Sequence, residues 1–100
     1  METKIKEENG CMVAVFKGRL DTAAAAQTTK DVEPLMTAEC KEIILDCTDL
    51  EYISSSGLRI FISLLKSAKT RGGNVIVSNI NEDISKVFQM TGFNKLFTIR

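Results

Sequence analysis

The chain alternates short apolar runs with longer stretches of helical periodicity. Residues 11–17, Cys-Met-Val-Ala-Val-Phe-Lys, are almost continuously apolar, the pattern of a strand covered on both faces. Residues 4–8 before them are short and charged, which suits an edge strand, and Asn9-Gly10 between the two is the strongest hairpin signal in the chain. Gly18-Arg19-Leu20-Asp21 is expected to break the second strand. A helix then runs to Glu33, with Asp21 or Thr22 as its N-cap and Pro34 ending or kinking it. Four consecutive alanines, residues 23–26, give that helix a low profile that lets it sit close on a sheet.

Ile43, Ile44 and Leu45 mark a short buried strand over 42–47, and residues 48–54 read as a loop. A second helix is predicted from about Ser56 to Thr70. Its polar residues Arg59, Ser63, Lys66 and Thr70 recur at helical spacing as one narrow stripe, and nearly everything else is apolar. An arc that broad means burial on two sides, or one flank, with Ile60 and Leu64, turned to a partner. Arg71-Gly72-Gly73-Asn74 stops this helix, and Val75, Ile76 and Val77 form another buried strand. Asn81 opens a third helix through Met90, with Ile84, Val87 and Phe88 inward. Gly92 ends it, and residues 96–99 form a last strand. The order β-β-α-β-α-β-α-β implies an α/β fold, a mixed, largely parallel sheet of four or five strands with helices packed against it. The connections after residues 17, 47 and 78 then leave the carboxyl edge, where open α/β sheets place their sites. Asp21 and Ser54-Ser55-Ser56 become neighbours there.

Composition narrows the chemistry. One hundred residues is the size of one domain, residues 1–100. Its 13 basic and 13 acidic side chains cancel, leaving no long-range field to hold a nucleic acid or an anionic membrane. The expected partner is another protein. The longest apolar stretch, 58–65, is broken by Arg59 and Ser63 and is too short for membrane insertion. The first residues lack the apolar core of a signal peptide, so the expected compartment is the cytoplasm. Cys11, Cys40 and Cys47 show no CxxC spacing and read as buried thiols. There is no histidine, which removes Ser-His and Cys-His catalysis and most zinc sites. Neither GxxxxGK[ST] nor GxGxxG occurs, and Asp21, Asp46 and Asp49 are too loosely spaced for a metal motif. The chain reads as a non-enzyme with no metal and no cofactor.

The informative stretch is Ser54-Ser55-Ser56-Gly57, at the start of the apolar second helix. A helix N-terminus carries unpaired N–H groups and about half a positive charge. A serine there can cap the helix, and most such serines do only that. A phosphoserine would be stabilised by the same groups. Gly57 can equally be a small residue that allows close packing.

Gly18-Arg19-Leu20-Asp21, Asp46-x-x-x-Leu50-x-x-Ile53, Ser55-Ser56-Gly57-Leu58, Gly72-Gly73 and Val87-Phe88-x-x-x-Gly92-Phe93 resemble, in this order, the STAS family, and most closely its stand-alone anti-sigma-factor antagonists. The resemblance implies a single STAS domain that binds an anti-sigma-factor serine kinase of the GHKL ATPase type while unphosphorylated. Phosphorylation releases it, and a PP2C-type phosphatase restores it. The phosphoacceptor falls on Ser55, with Ser56 and Ser54 as alternatives, and the family's nearby acidic residue falls on Asp21. The partner surface implied comprises Asp21, Thr22, Ser54, Ser55, Ser56, Gly57, Arg59 and Ile60. A weak homodimer is left open. The chain departs from the family at Ser54, where aspartate is usual. A constitutive STAS interaction module without a phosphoswitch, in a signalling scaffold or a lipid-transport ABC complex, is the alternative reading.

Overall fold

In the computed structural model, described for residues 1–36 and 42–100, one five-stranded sheet has the order β1-β2-β3-β4-β5. The first strand, β1 (Glu2–Glu8), pairs antiparallel with β2 (Cys11–Leu20). Asn9 and Gly10 both adopt positive φ, 50° and 79°, the two-residue turn whose twist matches a hairpin. Thr3 and Ile5 pair with Phe16 and Ala14 and so share their core-facing side, while Lys4 and Lys6 are exposed.

The strands β3 (Glu42–Ile53), β4 (Asn74–Ser78) and β5 (Thr98–Ile99) follow in parallel. Two expectations fail here for one reason. Gly18-Arg19-Leu20 continues β2 instead of breaking it, and residues 48–53, expected as a loop, are the second half of β3. Cys47, Leu50 and Ile53 are buried at a spacing of three, which contradicts the two-residue alternation of a strand. The register resolves the conflict. Val15 to Lys17 on β2 faces Asp46 to Asp49 on β3, and Gly18 to Arg19 faces Leu50 to Tyr52. Each irregularity absorbs one extra residue of β3 as a bulge and returns the apolar side chain to the core. Gly18 sits at the second irregularity with φ 103°, where a side chain would be strained. Asp46, expected at a strand end, lies within β3 between Val15 and Ser78.

The helices are α1 (Thr22–Asp31), the single turn α2 (Glu33–Met36), α3 (Ser55–Thr70) and α4 (Glu82–Thr91), with a 3₁₀ turn at Phe93–Lys95. The break before Pro34 falls at Val32, and Pro34 sits in the first turn of α2, where its missing N–H would have no helical partner. Arg71 ties α2 to the end of α3: its guanidinium donates to the carbonyls of Met36 and Leu35 at 2.7 and 3.3 Å. Gly72, at φ 73°, closes α3 with its N–H on the Lys69 carbonyl, and the Gly73 N–H reaches Ala68. Gly92, at φ 78°, ends α4. The last strand shrinks to two residues because the 3₁₀ turn takes up the chain before it, leaving Leu96 exposed and Phe97 buried.

Helices and sheet share one core. All five phenylalanines of the chain join in it. Phe61 is their hub, with ring centroids 5.4 Å from Phe16, 6.3 Å from Phe88 and 6.5 Å from Phe97. Ile60 and Leu64, the flank of α3 considered for a partner, are buried in the same cluster. The polar stripe of Arg59, Ser63, Lys66 and Thr70 is exposed as its spacing requires. Cys47 is fully buried, Cys11 only half-buried beside the hairpin turn, and Cys40 lies outside the described residues.

Phe61→Ala removes the hub and is expected to cost about 3–5 kcal/mol in urea unfolding. A loss below about 1 kcal/mol would mean that the cluster does not carry the core. Burial, reinforced by Asp46, pushes the Cys47 thiol from 9.0 up to about 12. The fold therefore favours its protonated form. Stability should be unaffected by this group below pH 9 and should fall as the pH rises from 9 towards 12, where only the unfolded chain loses the proton. Cys47 replaced by Ala should flatten that part of the stability–pH curve.

Candidate functional site

Leu20 ends β2 and Ile53 ends β3, paired across the ladder, and the Ser54 N–H adds one more rung to the Leu20 carbonyl at 2.8 Å. The next residue on each strand turns into a helix. Asp21 is the N-cap of α1 and Ser54 the N-cap of α3, both with extended backbone. The Ala24 N–H donates to Asp21 Oδ1 at 2.9 Å, and the Gly57 N–H donates to Ser54 Oγ at 3.2 Å. Two helix N-termini therefore start side by side from adjacent strands, as parallel pairing requires, and Asp21 and the serines are brought together.

The three serines take different positions. Ser54 is buried and its hydroxyl accepts the capping bond, so it is not free for a partner or for modification as the sequence reading allowed. The helix also begins one residue earlier than expected, because Ser54 rather than Ser55 supplies the cap. Ser55 is the first helical residue and is exposed, and Ser56 after it is half-buried. Gly57 is buried against the sheet. A β-carbon there would stand 2.7 Å from Leu20 Cγ and 2.8 Å from Ile53 Cγ1, closer than carbon atoms approach. Its hydrogen is what lets the first turn of α3 rest on the strand ends. Ile60 also belongs to the core, 7 % exposed, and the little surface it keeps lines the groove between α1 and α3. Thr22 and Arg59 are exposed.

An apolar groove of ≈ 300 Å³ runs from this edge between α1 and α3, with Ala25, Ala26, Val32 and Met36 along one side and Ser56 and Arg59 along the other. Two features escaped sequence reasoning. Arg19 stacks over the ring of Tyr52 at 4.5 Å, and Tyr52 is 40 % exposed at the same edge of the sheet. They face each other only once both strands are extended through their bulges. Asn81 caps α4 by accepting from the Ile84 N–H at 2.8 Å, while its Nδ2 donates to the Leu50 carbonyl at 3.2 Å. Its cap role was legible; its tie to β3 needed the fold.

Asp21, Asp46 and Asp49 do not converge. Asp21 caps α1, and Asp46 accepts from the Thr48 N–H and hydroxyl at 3.1 and 2.6 Å. Among the described residues no three His, Cys, Asp or Glu side chains come together as a metal ligand set, and no helix is long and apolar enough to cross a membrane.

The STAS domain model matches residues 2–100. The chain belongs to the STAS family. It is 24 % identical over 101 residues to the anti-sigma F factor antagonist of Paenibacillus polymyxa, covering 99 % of this chain and 86 % of that one. Among solved structures, an anti-sigma-factor antagonist (STAS) domain protein from Planctomyces limnophilus superimposes with a TM-score of 0.89 at 16 % identity, over 98 % of this chain and 87 % of that one. The anti-sigma factor antagonist SpoIIAA in its unphosphorylated form gives 0.76 at 20 % identity, over 99 % and 87 %. The phosphorylated form of SpoIIAA from Bacillus gives 0.75 at 20 %, over 99 % and 91 %. These likenesses establish the STAS fold for the bulged sheet and the paired helix starts described above.

The contact at Gly57 fixes the height of α3 and with it the position of Ser55. Gly57→Ala should cost about 1–3 kcal/mol as overpacking. Ser54→Ala should cost about 1 kcal/mol by removing the cap. Urea unfolding of both variants checks this, and an unchanged midpoint for Gly57→Ala would contradict the contact.

Proposed function

We propose that this STAS domain is an anti-sigma-factor antagonist, a cytoplasmic, non-enzymatic regulator that works by switching partners. The observation that carries the reading is Ser55: an exposed hydroxyl at the first position of α3, a helix that starts from the strand next to the one leading into Asp21 and α1, with its neighbour Ser54 already committed to the cap. The names of the relatives support it, and SpoIIAA resembles this chain equally in both phosphorylation states.

Unphosphorylated, Ser55 is a neutral group that a protein interface can desolvate at little cost. Phosphorylation would add about −1.5 to −2 charges. The N-terminal N–H groups of α3 stabilise that charge within the fold, so the fold need not change. In an interface the same charge must be desolvated next to Asp21, and like charges repel. A loss of about 3 kcal/mol would weaken a complex more than a hundredfold. The partner in this reading is an anti-sigma-factor serine kinase of the GHKL ATPase type, with a PP2C-type phosphatase restoring the free serine. The surface offered is Asp21, Thr22, Ser55, Ser56 and Arg59 around the groove. Ser54 in place of the usual aspartate is compatible with this function, since serine and aspartate are comparable N-caps and the kinase supplies its own base.

Baits of wild type, Ser55→Ala and Ser55→Asp, captured from the native cell and read by mass spectrometry, test the proposal. Wild type and Ser55→Ala should retain an ATPase of the GHKL type that Ser55→Asp loses. The tryptic peptide of residues 42–59 should carry phosphate in wild type. Equal binding of a scaffold or transporter complex by all three baits would reject the switch and make the domain a constitutive module.

A further inference from the structure

Arg59 follows Ser55 by four residues and both are exposed on α3, so the two stand one turn apart on one side of the helix. Among the described residues that line the groove between α1 and α3, Arg59 is the one charged side chain. Among the described residues the ion pair is Lys6–Glu8, and Arg59 takes part in none.

We propose that Arg59 is the internal receiver of a phosphate on Ser55, drawn back along α3 to pair with it and thereby withdrawn from the wall of the groove. The inference rests on the reading of Ser55 as the phosphoacceptor. Long side chains on a helix lean toward its N-terminus, which is the direction from Arg59 to Ser55. An anion placed N-terminal to a cation at this spacing is the favourable order. The guanidinium fork matches phosphate oxygens in a bidentate pair, which a backbone N–H cannot do. Two charged groups therefore act on a phosphate at this position in opposite senses: Asp21 at the head of α1 repels it, and Arg59 holds it on the α3 side.

The consequence is a change of sign without a change of backbone. Before phosphorylation the α3 wall of the groove carries a cation that is in no ion pair among the described residues, suited to an acidic side chain of a partner. Afterwards that cation is bound to a group of about −1.5 to −2, and the same stretch of wall is net negative. Release of the partner then has two causes, the added charge and the loss of the cation.

The test uses the full chain with phosphoserine installed at position 55 by genetic encoding, in the wild-type, Arg59→Lys and Arg59→Gln backgrounds. Phosphorus NMR follows the second ionisation of the phosphate, ordinarily near 6. In wild type its midpoint should lie roughly half a unit below that of Arg59→Gln, with Arg59→Lys between them. The N-terminal N–H groups are common to all three, so the difference reports Arg59 alone. It should shrink between about 0.1 M and about 1 M salt, where the screening length falls from about 10 to about 3 Å. The Nε–H resonance of Arg59 should move on phosphorylation. Coincident midpoints in wild type and Arg59→Gln, with an unmoved Nε–H, would overturn the proposal. Because the phosphate is installed, that outcome would leave Ser55 as the acceptor untouched, whereas failure to capture a kinase would reject the Ser55 reading without altering the titration.

Discussion

The first turn of α3 rests on the side chains of Leu20 and Ile53, and the absence of a β-carbon at residue 57 is what permits it. This contact joins three parts of the chain that are far apart in sequence: the end of β2, the end of β3 and the helix carrying the serines. With α3 seated there, the Ser54 N–H meets the Leu20 carbonyl and the Ser54 hydroxyl turns inward to the Gly57 N–H. Ser55 is left outside by the same geometry. The close approach at a buried glycine thus determines which of three chemically identical hydroxyls is left exposed.

The electrostatics follow from that placement. Two helices begin at neighbouring strand ends, and each begins with its own side-chain acceptor, so the partial positive charges of both N-termini meet on one patch. One cap is an ionised carboxylate and the other a neutral hydroxyl. The Asp21 side of the patch is therefore already compensated, while the Ser55 side has spare donors and a cation one turn away. The asymmetry would draw an anion to the α3 side of the patch.

Much of this was legible in the sequence where local chemistry decides. Asn9-Gly10, Gly72, Asn81 and Gly92 act within a few residues of themselves, and each fell where its side chain or its lack of one required. The strand ends were not legible. Cys47, Leu50 and Ile53 recur every third residue, a pattern that belongs to no regular strand, and only the pairing of β3 with β2 shows that two bulges restore the alternation. A loop over 48–54 also hides Ser54 as a rung of the ladder and Arg19 and Tyr52 as residues opposite each other, since both depend on β3 running on to Ile53. For Ile60 the breadth of the apolar arc left burial and a partner both open, and the fold places it in the core with a sliver of surface on the groove. Gly57 was readable only as a choice between loop chemistry and close packing, and that choice depends on distances no spacing contains.

The two borders of the sheet differ from its middle in a way that bears on how other chains can approach. Along β1 the outward row carries Glu2, Lys4, Lys6 and Glu8, and on the far side β5 offers two residues. Neither border is a good template for another strand, the first because charge blunts it and the second because it is too short. The molecule is in this sense insulated against growing by strand addition, the route by which open sheets polymerise. Recognition by another protein is thereby channelled to side chains on the helical surface.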